Sequence, residues 1–162
     1  MAGTKTTREK ELDLDKKVTV RSIAEWNTGF HRTDIDADVT ITPKGTFRLP
    51  RNEIISQVNN GNKLFTGTDG KGSHATLLID DTPTRVECGF ESEDGEQKQF
   101  CFSDALVQEV FSIQGQGEFE EAFKNAFQIS SEQLAVLDAI KRLGINDYRK
   151  VRFAEEHTGY RL

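Results

Sequence analysis

The feature that most constrains the fold is a change of hydrophobic period near residue 103. Before it, residues 18–23 and 37–42 alternate apolar and polar side chains, which is the pattern of strands with one buried face. From Ser103 onward, apolar residues recur every three or four positions, which is the period of an amphipathic helix. The separation predicts an α+β fold, in which a small antiparallel β-sheet or barrel module is followed by a helical C-terminal part.

The chain divides into three segments on this basis. Residues 1–16 alternate basic and acidic side chains with few apolar ones, which is typical of a disordered or loosely attached arm. Residues 17–102 form a β-rich module, and residues 103–162 form the helical part. Within the β-rich module, the sequence predicts a turn at residues 26–30 and a short helix with Pro50 in its first turn. Further strands are expected at residues 46–49, 63–66, 75–79 and 98–102.

Capping signals mark the helices of the last third. Ser103 predicts the start of the first helix, and residues 130–133 match a capping box that opens the third. Asn146 predicts the cap of the fourth helix. Gly144 and Gly159 predict helix ends, because glycine readily adopts the left-handed conformation of a C-cap.

Composition and charge exclude several classes of partner. No apolar run in the 162 residues approaches the roughly 20 residues that span a bilayer, and no apolar signal segment is seen, so we expect no membrane partner. The net charge of −6 argues against a nucleic-acid partner, which requires a basic face. Basic residues are concentrated locally at residues 141–161, and we interpret that stretch as a solvated helix face.

The loop at residues 67–74 resembles a phosphate-binding loop and then departs from it. That motif requires Gly-Lys followed by Ser or Thr at the start of a helix. Here Gly70 and Lys71 are followed by Gly72, and the next residues predict a strand. The sequence therefore predicts no nucleotide and no other cofactor.

Histidine and cysteine residues give no metal or thiol motif. His31, His74 and His157 are far from one another and from either cysteine in the sequence, so no local zinc-binding pair is present. Cys88 and Cys101 lack a Cys-x-x-Cys spacing, and we expect reduced structural thiols. We predict no catalytic residue and no metal ligand.

One acidic pattern supports an enzyme alternative. Asp80 and Asp81 end an apolar strand, and Glu96-Gln97-Lys98 precedes another predicted strand. Metal-dependent nucleases use an Asp together with Glu-x-Lys to hold Mg²⁺ and activate water. In those enzymes the Glu-x-Lys lies within an apolar strand, whereas here it follows the acidic residues 91–95. A solvated loop is our interpretation, and the alternative requires that Asp81, Glu96 and Lys98 converge.

Six aromatic residues are candidates for contact with a partner. Three recur every fourth residue on the second predicted helix, and three lie beside predicted turns. A helical part of this length cannot bury all its faces alone, so it must pack on the β-rich module or on another subunit. A core role and a partner role both remain open for the six residues: Trp26, Phe30, Phe65, Phe119, Phe123 and Phe127.

Several short stretches carry a resemblance to known proteins. They are Val18-Thr19-Val20-Arg21, Phe47-Arg48-Leu49, Glu53-Ile54-Ile55, Gly61-Asn62-Lys63-Leu64-Phe65, Thr66-Gly67-Thr68-Asp69-Gly70, Gly72-Ser73-His74-Ala75 and, more loosely, Asn146-Asp147-Tyr148. Through them, most of residues 18–90 resembles small structural-cluster proteins of tailed bacteriophages and prophages of Gram-positive bacteria. Those proteins are often encoded beside capsid genes.

The resemblance implies a role in the virion or its assembly, and it transfers no catalytic residue. We therefore expect a non-enzymatic phage structural or head-accessory protein that acts through protein–protein contacts. Its expected partners are further copies of itself, a capsid-type protein, or both. Its expected locations are the cytoplasm of the bacterial host and the virion. A phage-encoded regulator or inhibitor that binds a host protein is the alternative, followed by the metal-dependent nuclease.

Overall fold

The chain forms a β-rich module and a helical part in that order along the sequence. The computed structural model describes residues 12–162, so most of the arm predicted for residues 1–16 lies outside the described residues. The strands of this range are β1 (Lys17–Ser22), β2 (Thr28–His31), β3 (Asp38–Ile41), β4 (Thr46–Pro50) and β5 (Leu77–Ile79). The helices are α1 (Arg51–Asn59), α2 (Lys63–Thr66), α3 (Thr82–Glu87), α4 (Asp104–Phe111), α5 (Gln116–Ala126), α6 (Ser130–Leu143) and α7 (Tyr148–Thr158).

The strands form two antiparallel sheets that do not close into a barrel. The first sheet has the order β4-β1-β5, and the second is the hairpin of β2 and β3. In β1, Val18 lies opposite Leu49, and Val20 lies between Phe47 and Ile79. The buried valines of β1 alternate with more exposed residues, as the period-2 pattern predicts. The predicted α+β class is therefore confirmed, with the open sheet rather than the barrel.

Three segments of the β-rich module differ from the prediction. Residues 63–66 form the helical turn α2 instead of a strand, because the side chain of Asn62 accepts a hydrogen bond from Leu64 N at 3.1 Å and caps the turn. The sequence predicts a turn at residues 26–30, but Thr28 begins β2 and pairs with β3. Residues 98–102 form only an isolated bridge, in which Lys98 pairs with Glu91.

The helical part follows its capping signals closely. Ser103 caps α4 by accepting a hydrogen bond from Leu106 N at 3.1 Å, and Gly144 and Gly159 end α6 and α7 in the left-handed conformation, all as predicted. Two predicted N-caps are wrong by one residue. Ser130 is already helical behind the N-cap Ile129, and the side chain of Asp147, rather than Asn146, caps α7.

Helix α6 joins the helical part to the β-rich module. Ser131 Oγ lies 3.0 Å from Thr76 Oγ1, and Glu132 pairs with His74. Lys44 in the β-rich module forms an ion pair with Asp138 on α6. A small apolar cluster with Phe102 at its edge supplements these polar contacts, and its buried members are Ile23, Ala75 and Leu78. The junction therefore fixes the orientation of the helices on the sheet.

Candidate functional site

Four of the six candidate aromatic residues lie in the hydrophobic core. Phe65 is fully buried in the β-rich module, and Phe119, Phe123 and Phe127 are fully buried in the helical part. Phe119 and Phe123 lie on one side of α5, and Phe127 follows on the same side at the end of the helix. Residues four apart on a helix lie above one another. Their side chains stabilise the fold and present no surface to a partner in this conformation.

The other two candidates differ from each other in exposure. Phe30 is partly buried and packs edge-on against Phe65, with ring centroids 5.5 Å apart. Trp26 is 40% exposed and precedes β2. Of the six candidates, Trp26 therefore presents the largest accessible ring.

The residues of the nuclease alternative have separate structural surroundings. Asp81 caps α3, and its carboxylate accepts hydrogen bonds from Thr84 N at 3.1 Å and from Arg51 Nη2 at 3.0 Å. Burial raises the pKa of this carboxyl, but the hydrogen bonds from Thr84 and Arg51 outweigh that effect and lower it overall. Asp81 therefore serves to start a helix.

Lys98 lies in a different setting from Asp81. It lines a groove together with Asp80 and Glu91, whereas Glu96 is exposed in the neighbouring turn. Within residues 12–162, no group of three His, Cys, Asp or Glu side chains could hold a metal ion. The geometry therefore gives the nuclease alternative no shared metal site in this range.

The histidines and cysteines have structural neighbours. The rings of His157 and Phe153 stack with centroids 5.4 Å apart, and the ring nitrogens of His31 contact Asp36 and Asp38. Burial raises the pKa of the Cys88 thiol to about 12. Burial likewise raises the pKa of Cys101, so neither thiol is activated as a nucleophile near neutral pH.

The glycine loop is organised by its own aspartate. Asp69 Oδ1 accepts hydrogen bonds from Lys71 N at 2.7 Å and from Ser73 N at 3.2 Å. The loop then leads towards β5, as the sequence predicts, and no helix N-terminus follows it to receive a phosphate. We assign the loop a structural role in connecting α2 to β5.

The most exposed large aromatic residue among the described residues lies on α7. Tyr148 is 70% exposed. Arg152 Nη1 donates a hydrogen bond to the Tyr148 hydroxyl at 2.9 Å, and the guanidinium lies 6.0 Å from the ring centroid. This contact holds the tyrosine ring in a defined position at the start of the helix.

The chain that follows α7 adds to the same surface. Leu162 N donates a hydrogen bond to Glu155 Oε2 at 3.0 Å, so the last residues fold back along the helix. A groove of about 400 Å³ lies between Tyr148, Arg152 and Arg161. We define the α7 surface as the exposed residues Tyr148, Arg149, Arg152, Tyr160, Arg161 and Leu162.

The α7 surface is suited to protein contact. Tyrosine and arginine are enriched at protein interfaces, because both combine a large contact area with hydrogen-bonding groups. From the sequence alone, residues 141–161 are interpreted as a solvated helix face, and this surface is not identified. The available signal was Tyr148 and Arg152 at a spacing of four residues, which places both side chains on one face of a helix.

Within residues 12–162, none of the helices is long and apolar enough to cross a membrane.

Comparisons with known proteins give no family assignment. Searches against protein-family models, curated proteins and solved structures found no match.

Proposed function

We propose that this protein works by binding other proteins, as a structural or head-accessory component of a phage particle, through its α7 surface. The observation that carries the proposal is the exposure of Tyr148, which is 70% exposed and whose hydroxyl accepts a hydrogen bond from Arg152. Leaving a large ring in water forgoes about 25 cal/mol for each Å² of apolar surface that could be buried. A partner that covers the ring recovers this free energy.

The surroundings of Tyr148 support the same function. Arg149 and Arg161 have no ion-pair partner within residues 12–162, so both charges are free to meet carboxylates of a partner. Tyr160 and Leu162 add exposed apolar area beside them. An aromatic anchor surrounded by polar groups is the usual anatomy of a binding surface.

The junction between the two parts of the chain also favours binding. The contacts of α6 with the β-rich module orient the helices and, with them, the α7 surface. A surface that is ordered before binding loses less conformational entropy when the complex forms. The phage context rests on the resemblance of residues 18–90, and it implies that the binding partners are further copies of this protein, a capsid-type protein, or both.

Particle association tests the proposal. The tagged full-length chain is produced in host cells in which phage particles assemble, and the particles are purified on a density gradient. We expect the wild type to sediment with the particles. The amount of the variant Y148S/R152S that is bound to particles should be at least tenfold lower. I35S is the matched control, because it replaces another exposed apolar residue, one that lies outside the α7 surface.

Two results would overturn the proposal. One is a wild type that is missing from the particles and from their assembly intermediates. The other is a Y148S/R152S variant that binds particles as well as the wild type does. Far-ultraviolet circular dichroism of each purified variant establishes that a loss of binding does not reflect unfolding.

A further inference from the structure

Charge is distributed unevenly along the helical part. Residues 103–140 contain seven acidic residues and a single lysine, whereas residues 141–162 contain six Lys/Arg and three Asp/Glu. The second segment therefore has a net charge of +3, and since the whole chain has −6, residues 1–140 carry −9. The basic segment is the end that a second, net-negative copy would approach most favourably.

The acidic side chains of α4 and α5 include several that are exposed. Glu109 lies on α4, and Glu118 and Glu121 lie on α5. None of the three has an ion-pair partner within residues 12–162. We define these three glutamates as the acidic surface.

The acidic surface and the α7 surface do not neutralise each other within one copy. Helices α5 and α7 pack together through Phe119, Phe123 and Phe153, with Phe153 at 5.9 Å and 5.5 Å from the other two ring centroids. The aromatic residues fill the contact, and the exposed charges lie outside it. Arg152 is ion-paired with Glu156 on α7, but Arg149 and Arg161 are not paired with the acidic surface of their own copy.

We propose that the α7 surface of one copy binds the acidic surface of a second copy. This inference rests on the proposed function, because it names the partner of the α7 surface. Opposite potentials steer the two copies together, and burial of Tyr148 supplies the apolar anchor that charges alone lack. Each copy has one surface of each kind, so the same contact can be repeated from copy to copy during assembly.

Sedimentation velocity of the purified full-length protein tests the contact. We expect the wild type to self-associate at 50 mM NaCl and to dissociate at 500 mM NaCl, because salt screens exposed charges. The variants R149E/R161E and E118K/E121K should each self-associate at least tenfold more weakly. An equimolar mixture of the two variants should associate again, because their reversed charges are complementary.

A matched control changes the net charge by the same amount at a different place on the molecule. K63E/K71E alters the net charge as much as R149E/R161E does, but both lysines are exposed in the β-rich module. We expect this control to weaken self-association less than threefold. A comparable loss in the control would show that net charge, and not the α7 surface, governs association, and would overturn the proposal.

Other outcomes would also overturn it. They are a wild type that stays monomeric at all concentrations, and reversed variants whose mixture fails to associate. A monomeric wild type that still enters particles would remove self-association and leave the proposed function standing. Strong self-association without particle binding would overturn the proposed function and leave the self-association of the α7 surface standing.

Discussion

The imidazole of His74 and the carboxylate of Glu132 meet at the junction of the β-rich module and the helical part, with His74 Nδ1 2.9 Å from each carboxylate oxygen. The same carboxylate accepts hydrogen bonds from Gln128 N at 3.1 Å and Ile129 N at 3.4 Å, at the start of α6. Burial raises the pKa of Glu132, and the hydrogen bond from His74 offsets part of that rise. One buried side chain therefore caps a helix and fastens it to the sheet.

Removal of this carboxylate should strongly destabilise the protein. Glu132→Ala leaves the buried His74 Nδ1 and two partly buried backbone N–H groups without an acceptor, and we expect a loss of about 3–5 kcal/mol in the free energy of unfolding. Urea denaturation followed by circular dichroism measures the loss. Glu121→Ala, at an exposed position of α5, is the control and should change stability by less than about 0.5 kcal/mol. A loss below about 1 kcal/mol in Glu132→Ala would contradict the assigned role.

The fold could be predicted from the sequence where its signals are local. Ser103 and Gly144 mark helix ends because a cap acts within one turn of its own residue. Residues 63–66 show the limit of this approach. Their apolar pattern resembles a strand, but the hydrogen bond that the Asn62 side chain accepts from Leu64 N favours a helical turn. Periodicity alone does not distinguish a strand from a helical turn in an apolar segment this short.

The junction of the two parts and the candidate site were less predictable than the helices and strands. His74 and Glu132 are 58 residues apart, and no local pattern indicates that they meet. The importance of Tyr148 depends on its exposure, which follows from how α7 packs against the rest of the molecule. Both features arise from tertiary packing, so they became visible only in the structure.

Two glycines of the loop at residues 67–74 should differ in their tolerance of a methyl group. Both have positive φ, +69° at Gly67 and +76° at Gly70. A Cβ at Gly67 would lie 1.9 Å from the carbonyl oxygen of Ser73, whereas one at Gly70 would meet no atom within 4 Å. We expect Gly70→Ala to cost about 1–2 kcal/mol from backbone strain alone. Gly67→Ala should lower the free energy of unfolding by at least about 2 kcal/mol more than Gly70→Ala does, as measured by thermal unfolding. Equal losses in the two variants would argue against this loop geometry.

The hairpin of β2 and β3 should contain a histidine that titrates above its ordinary range. The hydrogen bond between His31 Nδ1 and Asp38, at 2.8 Å, is the largest cause of a pKa above 6.5, and the negative charge of Asp36 adds to it. A raised histidine pKa contributes stability that is complete below pH 6.5 and is lost as the pH rises through the folded-state value. In an NMR titration, Asp38→Asn should lower the pKa of His31 more than Asp36→Asn does. An unchanged titration in Asp38→Asn would disprove the pairing.

A final pair of substitutions separates the core aromatics from the surface aromatic. Phe123 is fully buried and lies 4.9 Å from the ring of Phe127 and 5.5 Å from that of Phe153. Phe123→Ala should therefore reduce the free energy of unfolding by about 3–5 kcal/mol. Tyr148→Ala should alter it by less than about 0.5 kcal/mol, because the ring is mostly in water, and should weaken association instead. If Phe123→Ala left stability intact and abolished association, the stripe on α5 would be the partner surface and the role given to α7 would be wrong.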